Sequence, residues 1–565
     1  SFRFKDSIEY NDCALVSLNE VKIGELRFRL PVYSNFYTSA KFAQILSFPY
    51  IDTVGYEYRK TPQFEVFREY DEGIHIGEII RNKICANQYY VPFADLNRHI
   101  FVPGMTGAGK TNTIKYILYN LYRNNIPWLV VEPAKAEYYE LFKMGVNNLQ
   151  IISAGSNRNN LLINPFQPIN ENVPIQEHID SLYSAFMASF TWVAPLPYVL
   201  ENALYRLYEK FGFDLSNQEK NKGLKYPTVE ALFWIIPEIV DEMNYDGRLR
   251  QEIISSLQAR ISTIRRGTKG NILNVQNSMD FERILNLPVI VELEQVKDNS
   301  AKAFIMSLIC ILLREYRMQQ KDVQLGIKHF FLVEEAHRLL KRKSPINSDC
   351  SESSADGVEF FTEMLAELRS KGQGFILADQ IPEHLVDDVI KNTNLKIVHR
   401  LASRQDATLV GETMNCDDEQ IKYMSVLRRG EAIVYSEGDL FPKLVNIPYV
   451  NDYVKSELEC LNRKEILEKC GIVQQFSIQN LYNTNPVDIL FDVITECEEY
   501  EKVVGIINRF SESVADLCSL KEVISKMEDI VIELIENRQG HYIGFALKKI
   551  MNSLDVVLFE KYQIL

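Results

Sequence analysis

The chain has 565 residues, 46% hydrophobic and 24% charged, with a formal net charge of -14 and a pI near 5.3. That length is more than one core fills and predicts about two to four domains of ordinary globular composition. The acidic balance excludes a protein that coats nucleic acid with its whole surface, which takes a surplus of Lys and Arg, so any nucleic-acid contact has to be local.

The chain opens Ser1-Phe-Arg-Phe-Lys5, with no charged-then-apolar leader, so no signal peptide is expected and the natural start is expected upstream. Residues 1 to about 95 carry short apolar runs such as Glu25 to Leu30 and Glu65 to Tyr70, split by Pro, Asn and Gly. Alternation of this kind predicts short antiparallel strands in a small β-barrel-like cap.

From 96 to 454 apolar strands alternate with long helical stretches, which predicts an α/β core around a mainly parallel sheet. The predicted strands are His99 to Val102, Pro127 to Glu132, Leu149 to Ser153, Pro288 to Leu293, His329 to Glu334, Gly374 to Asp379 and Leu395 to His399. Between them, residues 171 to about 265 hold no strand pattern and read as a helical insertion. Phe304 to Leu313, closed by Arg314, is well short of the ~20 apolar residues that cross a bilayer and reads as a buried helix. Lys341 to Gly357 reads as a polar loop. From 455 to 565 the pattern is helical, and Val523, Met527, Ile530, Val531 and Leu534 share one face that needs burial, in this subunit or against a partner. Nine scattered cysteines without a CxxC pair argue for free thiols in a reducing compartment and against zinc, and cytoplasmic is the expected location.

The chemistry concentrates at Gly104-Met-Thr-Gly-Ala-Gly-Lys-Thr111, a G-x-x-x-x-G-K-T run between an apolar strand and a helical pattern. Gly104, Gly107 and Gly109 leave room for the backbone to wrap phosphates, with Thr106, Ala108 and Asn112 completing the cradle. Lys110 is expected on the β- and γ-phosphates of ATP and Thr111 on Mg²⁺. A strand ending in Glu334-Glu-Ala-His337 supplies the carboxylates: Glu335 as the base that activates water, Glu334 as a magnesium or outer ligand. Gln380, after the strand Gly374 to Asp379, stands where a side chain senses the γ-phosphate or the attacking water.

Together these blocks resemble the HerA/FtsK group of ring-forming DNA motor ATPases, most closely its HerA branch. Further blocks carry the resemblance: Arg98-His99 before the first strand, Val131-Glu-Pro-Ala-Lys-Ala-Glu-Tyr138, similar to a D-P-x-G-E-Y block, then Asn164-Pro-Phe166, and Arg369 ahead of the Gln380 strand. Glu132 stands where the family usually has Asp, and Ser370 where it usually has Lys. The resemblance implies a RecA-like P-loop NTPase core under a small β-barrel and a homohexamer whose ATP sites lie between subunits. It also implies a basic finger in trans, with Arg369 the first candidate and Arg400 the second, and a plain salt bridge the alternative for either. Arg260, Arg265, Arg266 and Lys269, gathered in an otherwise acidic chain, are candidates for contact with double-stranded DNA in a ring pore, or for approach to a neighbour's ATP. Lys341-Arg-Lys343 is a second basic run. No membrane partner is expected. Two readings follow: a DNA translocase or helicase working with a nuclease or other effector, including in antiphage defence, or an ATP-dependent scaffold that controls a nuclease or an NAD-consuming protein. The 225 residues between Lys110 and Glu335, with no Q-x-x-G-R-x-x-R block, argue against a two-domain helicase, and the lack of an S-G-G-Q signature against an ABC ATPase.

Overall fold

The computed structural model describes residues 20–23, 26–29, 62–66, 72–81, 84–96, 98–156, 159–320, 326–340 and 352–470. The chain divides into two compact units, Ser1–Thr61 and Pro62–Leu565. In the first, strands β1 (Glu20–Ile23) and β2 (Leu26–Arg29) form an antiparallel hairpin with Glu20 opposite Arg29. The remaining residues up to 61, residues 341–351 of the expected polar loop with Lys341 to Lys343, and residues 471–565 with the face from Val523 to Leu534 lie outside the described residues. The end of that expected loop, 352–357, is helical instead, the first turns of the Glu352–Arg369 helix. One element of the 455–565 region is described, a helix over Arg463–Cys470.

The second unit is built on one sheet of eleven strands. In chain order they are β3 (Ile74–Arg81), β4 (Ile84–Val91), β5 (Ile100–Pro103), β6 (Trp128–Glu132), β7 (Gln150–Ser153), β8 (Val289–Glu292), β9 (His329–Glu334), β10 (Gln373–Asp379), β11 (Leu395–Val398), β12 (Glu431–Tyr435) and β13 (Lys443–Asn446). Seven strands run parallel in the order β11-β5-β10-β9-β6-β8-β7. Sheets of this kind are covered on both faces, which is why their strands read as unbroken apolar runs. Alternate residues feed two cores: Leu129 and Val131 point into one, Trp128 and Val130 into the other.

Four antiparallel strands, β12, β13, β3 and β4, extend the sheet beyond β11. This differs from the sequence reading, which ended the cap near residue 95. Val445 of β13 pairs with Ile79 of β3, and Ile74, Ile76, Ile79, Tyr89 and Val91 are buried in the core under the Lys110–Arg123 helix. Strands 74–91 therefore belong to the core, and the break between units falls after Thr61.

Residues 175–265 form four helices, Ile175–Ser189, Leu196–Lys210, Val229–Glu242 and Gly247–Arg265, with no strand between them. Side-chain caps start the last two: Thr228 Oγ1 accepts from the Ala231 amide at 3.4 Å, and Asp246 from Leu249 at 3.0 Å. The Asn299–Met318 helix is buried from Phe304 through Leu313, as its apolar run predicts. Among the described residues no helix is long and apolar enough to cross a membrane.

The insertion also decides what its cations do. Arg265 turns inward: its guanidinium lies 3.7 Å from the Phe233 ring centroid and 3.2 Å from Glu230 Oε1, and its side chain is only 5% exposed. Arg260 bonds the carbonyls of Thr191 and Ser256, at 3.0 and 2.8 Å, over the Trp192 ring. The basic run is thus helical, broken only at Arg266, and two of its four candidate DNA contacts are turned to partners within the chain. Removing one partner of a buried pair leaves the other uncompensated. Arg265→Ala should therefore destabilise the protein by about 3 kcal/mol in a urea titration, whereas Arg266→Ala, on an exposed residue, should leave the midpoint in place.

Candidate nucleotide site

Strand β5 ends at Pro103, the loop turns through Gly104 to Gly109, and Lys110 opens the helix Lys110–Arg123. The loop's leading edge is tied to both neighbouring strands, since the Gly104 amide donates to the Asp379 carbonyl at 3.1 Å and Met105 to the Arg400 carbonyl at 2.9 Å. A side chain at Gly104 would place its Cβ 2.7 Å from the His399 Cβ, so the close approach demands glycine. Gly107, with φ of 78°, occupies the left-handed region that lets the amides turn inward.

His399 lies under the loop, wholly buried. Its Nδ1 is 3.1 Å from the Glu431 carbonyl, which only accepts, so Nδ1 carries the proton and Nε2 accepts from the Thr113 hydroxyl at 2.8 Å. Burial pushes His399 down to about 4, the Glu431 carbonyl opposes this, and the charge of Lys110 adds to it. Lys110 folds back on the carbonyl of Gly104 and, at 3.4 Å, that of Met105. Burial lowers its pKa, while the charges of Glu334, Asp379 and Glu335 raise it, so all three carboxylates lie within electrostatic reach of the lysine.

Those carboxylates sit at the carboxyl ends of the next two strands in the sheet, β10 and β9. Glu335 takes a left-handed conformation, φ 51°, and its Oε2 accepts from Arg338 Nε at 2.6 Å. Arg338 in turn reaches Asn299 Oδ1 at 2.8 Å. Glu334 accepts from the Tyr138 hydroxyl at 2.6 Å. Burial raises its carboxyl to about 7, an effect the Tyr138 bond and Lys110 moderate and the charges of Glu137 and Glu335 reinforce. Glu132 ends β6 and accepts from the amides of Glu137 (2.6 Å) and Tyr138 (3.2 Å), so the Glu132 to Tyr138 block wraps its own carboxylate and presents a tyrosine to Glu334. Asp379 closes the arrangement: Oδ1 accepts from the amides of Gln380 and Ile381, and Oδ2 from the His337 amide and ring at 2.9 and 2.8 Å. The Thr106 hydroxyl donates to Gln380 Oε1 at 2.7 Å and links the loop directly to the strand end beside it.

The structure thus brings Thr106, Lys110, Glu334, Glu335 and Gln380 together. Thr111 and Asn112 are half-buried in the first helical turn, and Ala108 is buried. The Thr111 hydroxyl and the Glu334 carboxylate are hard oxygen donors, the kind magnesium takes in ones and twos beside phosphate oxygens, so the donor set fits that ion. Among the described residues no three His, Cys, Asp or Glu side chains group as a self-contained metal cage.

Other candidates lie apart. Arg400 is beside its own loop, with Nε 3.2 Å from Met105 Sδ. Arg369 is exposed at the end of the Glu352–Arg369 helix, which leads into the amino-terminal end of β10, the edge opposite the loop. Of the four basic candidates, Arg260 and Arg265 bond within the insertion, and Lys269 pairs with Asp298 at 3.4 Å, leaving Arg266 exposed. Sequence reasoning missed Tyr138, His399 and Asp379 as parts of the site. Tyr138 and His399 stand in blocks that were singled out, but nothing in a sequence says which atoms they face.

Residues 74–313 match the family described as "Helicase HerA, central domain". A "DNA double-strand break repair helicase HerA" of Sulfurisphaera tokodaii is 23% identical over 452 residues, 76% of this chain and 82% of that protein. Its namesake from Sulfolobus acidocaldarius is 22% identical over 387 residues, 66% of this chain and 69% of that one. Among solved structures, VirB4 of Thermoanaerobacter pseudethanolicus is similar with a TM-score of 0.52 and 16% identity, covering 68% of this chain and 99% of that chain, a likeness of fold.

Because burial holds His399 well below its usual value, its contribution to stability is fully present above about pH 6.5 and is lost as pH falls toward 4. Over that window the unfolded chain binds a proton that the native state refuses. His399→Gln should flatten stability against pH by up to one proton, about 1.4 kcal/mol per pH unit, in urea titrations between pH 4.5 and 6.5. An unchanged slope would mean that the ring is not held neutral.

Proposed function

Because this chain is a HerA-type P-loop ATPase, we propose that it hydrolyses ATP with Mg²⁺ and uses the cycle to move double-stranded DNA as a homohexameric ring, beside a nuclease or other effector, in antiphage defence. One observation carries the chemical part. The Gly104 to Thr111 loop, Gln380 and the Glu334–Glu335 pair stand at the carboxyl ends of three adjacent strands, β5, β10 and β9, where α/β sheets bind ligands. The named relatives, which are DNA repair helicases, support DNA as the track.

The residues divide the work. Loop amides and the helix N-terminus take the phosphate charge, and Lys110 leaves the loop carbonyls for the β- and γ-phosphates. Magnesium, held through Thr111 and near Glu334, would neutralise charge on the phosphates. Arg338, 2.6 Å from Glu335 Oε2, holds that carboxylate in place. Glu335 takes the proton as water attacks the γ-phosphorus, the bond to the β-phosphate oxygen breaks, and ADP and phosphate leave. Gln380, held by Thr106 at rest, orients the water. Arg369, exposed at the far edge of the sheet, is suited to a neighbouring subunit's nucleotide and not to its own, which supports a ring with shared sites.

A second reading, an ATP-dependent ring that holds or switches an effector without travelling on DNA, draws on the inward turn of Arg260 and Arg265. Two of the four expected DNA contacts are occupied inside the chain.

Glu335→Gln should lower turnover by at least about a hundredfold with ATP affinity intact; lost affinity would discard its role as the base. Arg369→Ala should abolish turnover alone and recover part of it in rings mixed with Glu335→Gln, where some interfaces keep both groups. No recovery would argue against a finger in trans. For a motor, ATP turnover rises with DNA and that rise collapses between 50 and 200 mM salt, roughly the range over which phosphate contacts weaken. Turnover indifferent to DNA but changed by a co-purified partner would favour the second reading.

A further inference from the structure

The carboxylates that face the γ-phosphate fix which way a nucleotide lies. Glu334, Glu335 and Gln380 all flank the loop on the β10 and β9 side. A triphosphate with its terminal phosphorus toward them must direct its nucleoside to the other flank, beyond β11, where the antiparallel strands β12 and β13 stand. There the start of β12 and the end of β13 reach the same edge of the sheet as the loop, because both pair antiparallel within it.

Two segments occupy that flank. The turn Arg428–Gly430 touches the loop, with the Gly430 amide 3.3 Å from where a Cβ on Gly109 would stand. The segment after β13 is clamped to the first turn of the loop's helix by Asn112, whose Nδ2 donates to the Pro448 carbonyl at 2.8 Å and whose Oδ1 accepts from the Val450 amide at 3.0 Å. Both bonds bracket Tyr449. Its backbone is extended, its hydroxyl accepts from Asn451 Nδ2 at 2.9 Å, and the residue is 52% exposed. A large ring whose backbone is clamped on both sides and which is left in solvent is placed for a flat partner, which lowers the ordering cost of binding.

We propose that Tyr449 is the platform for the nucleobase: a purine stacks on its ring while Asn112 fixes the distance between that ring and the phosphate cradle. The proposal rests on the P-loop reading above and adds to it a recognition element for the base. Stacking of a base on an aromatic side chain is tolerant of which base is present, so the platform supplies affinity and little discrimination between ATP and GTP.

Calorimetric titrations of the full chain with ATP, GTP and inorganic tripolyphosphate test it. Tyr449→Ala should weaken ATP and GTP alike by about tenfold and leave tripolyphosphate unchanged, because the phosphates do not touch the ring. Tyr449→Phe should bind as the parent does, and Tyr449→Leu, which keeps apolar bulk without the ring, should fall with the alanine variant. Parent-like ATP affinity in Tyr449→Ala would overturn the platform, as would an equal loss for ATP and tripolyphosphate, which marks damage to the cradle. Should the parent protein bind neither ATP nor tripolyphosphate, or Lys110→Ala bind both as the parent does, the P-loop reading itself fails, an outcome distinct from failure of the platform.

Discussion

Everything at this site depends on how the backbone between β5 and its helix is held. Two amides, Gly104 and Met105, donate to the last carbonyl of β10 and to the Arg400 carbonyl just past β11, and a buried neutral histidine joins the helix's Thr113 to the start of β12. A loop anchored on both flanks presents its amides in one arrangement before any phosphate arrives, which is the condition for electrostatic stabilisation without reorganisation. The same closeness explains Gly104. No side chain fits between the loop and His399, so the glycine is required by packing as well as by the phosphates.

The acidic edge beside the loop is the second constraint, and it is a costly one. Glu132, Glu292 and Glu334 end three neighbouring strands, the first two buried and the third half-buried. Carboxylates so placed repel one another and lose hydration, which is why Glu132 and Glu334 are both pushed toward their neutral forms. Each has a compensating donor: amides of the Glu137–Tyr138 turn for Glu132, the Tyr138 hydroxyl for Glu334, and Ser153 with Arg463 for Glu292. Glu335 differs. It is paired with Arg338 and lifted out of the strand by its left-handed backbone, apart from that row of strand-end carboxylates. Two adjacent glutamates thus differ in chemistry because the chain changes conformation between them.

Much of this was legible in the sequence because parallel strands buried on both faces leave a simple mark. Each of the seven predicted core strands occurs within about two residues of its expected bounds, and the loop, Glu334, Glu335 and Gln380 follow as their carboxyl ends. The antiparallel extension left no such mark. β12 and β13 are five- and four-residue strands, and β3 and β4 alternate like strands of a separate cap, so nothing local says which sheet they join. Arg265 was misread for a related reason. A cluster of cations in a sequence says nothing about side-chain direction, and Phe233, Trp234 and Glu230, some thirty residues away, draw this one into the interior.

That inward turn sharpens the question of how an acidic ring would hold DNA. Each copy carries a formal charge of -14, so a ring of the kind proposed would accumulate negative charge and would repel a polyanion at long range. In such a ring attraction would have to come from a few cations repeated by symmetry and close to the axis, where low-dielectric walls would focus their field and salt would screen them within about 8 Å. Arg266 meets the requirement of exposure, at the break between two helices and next to Lys269, whose pairing with Asp298 leaves it only partly covered. A grip built from so few contacts per subunit would be weak in each copy and strong only in the closed ring. Assembly and DNA binding would then be one event, with the oligomer as the unit that recognises the duplex.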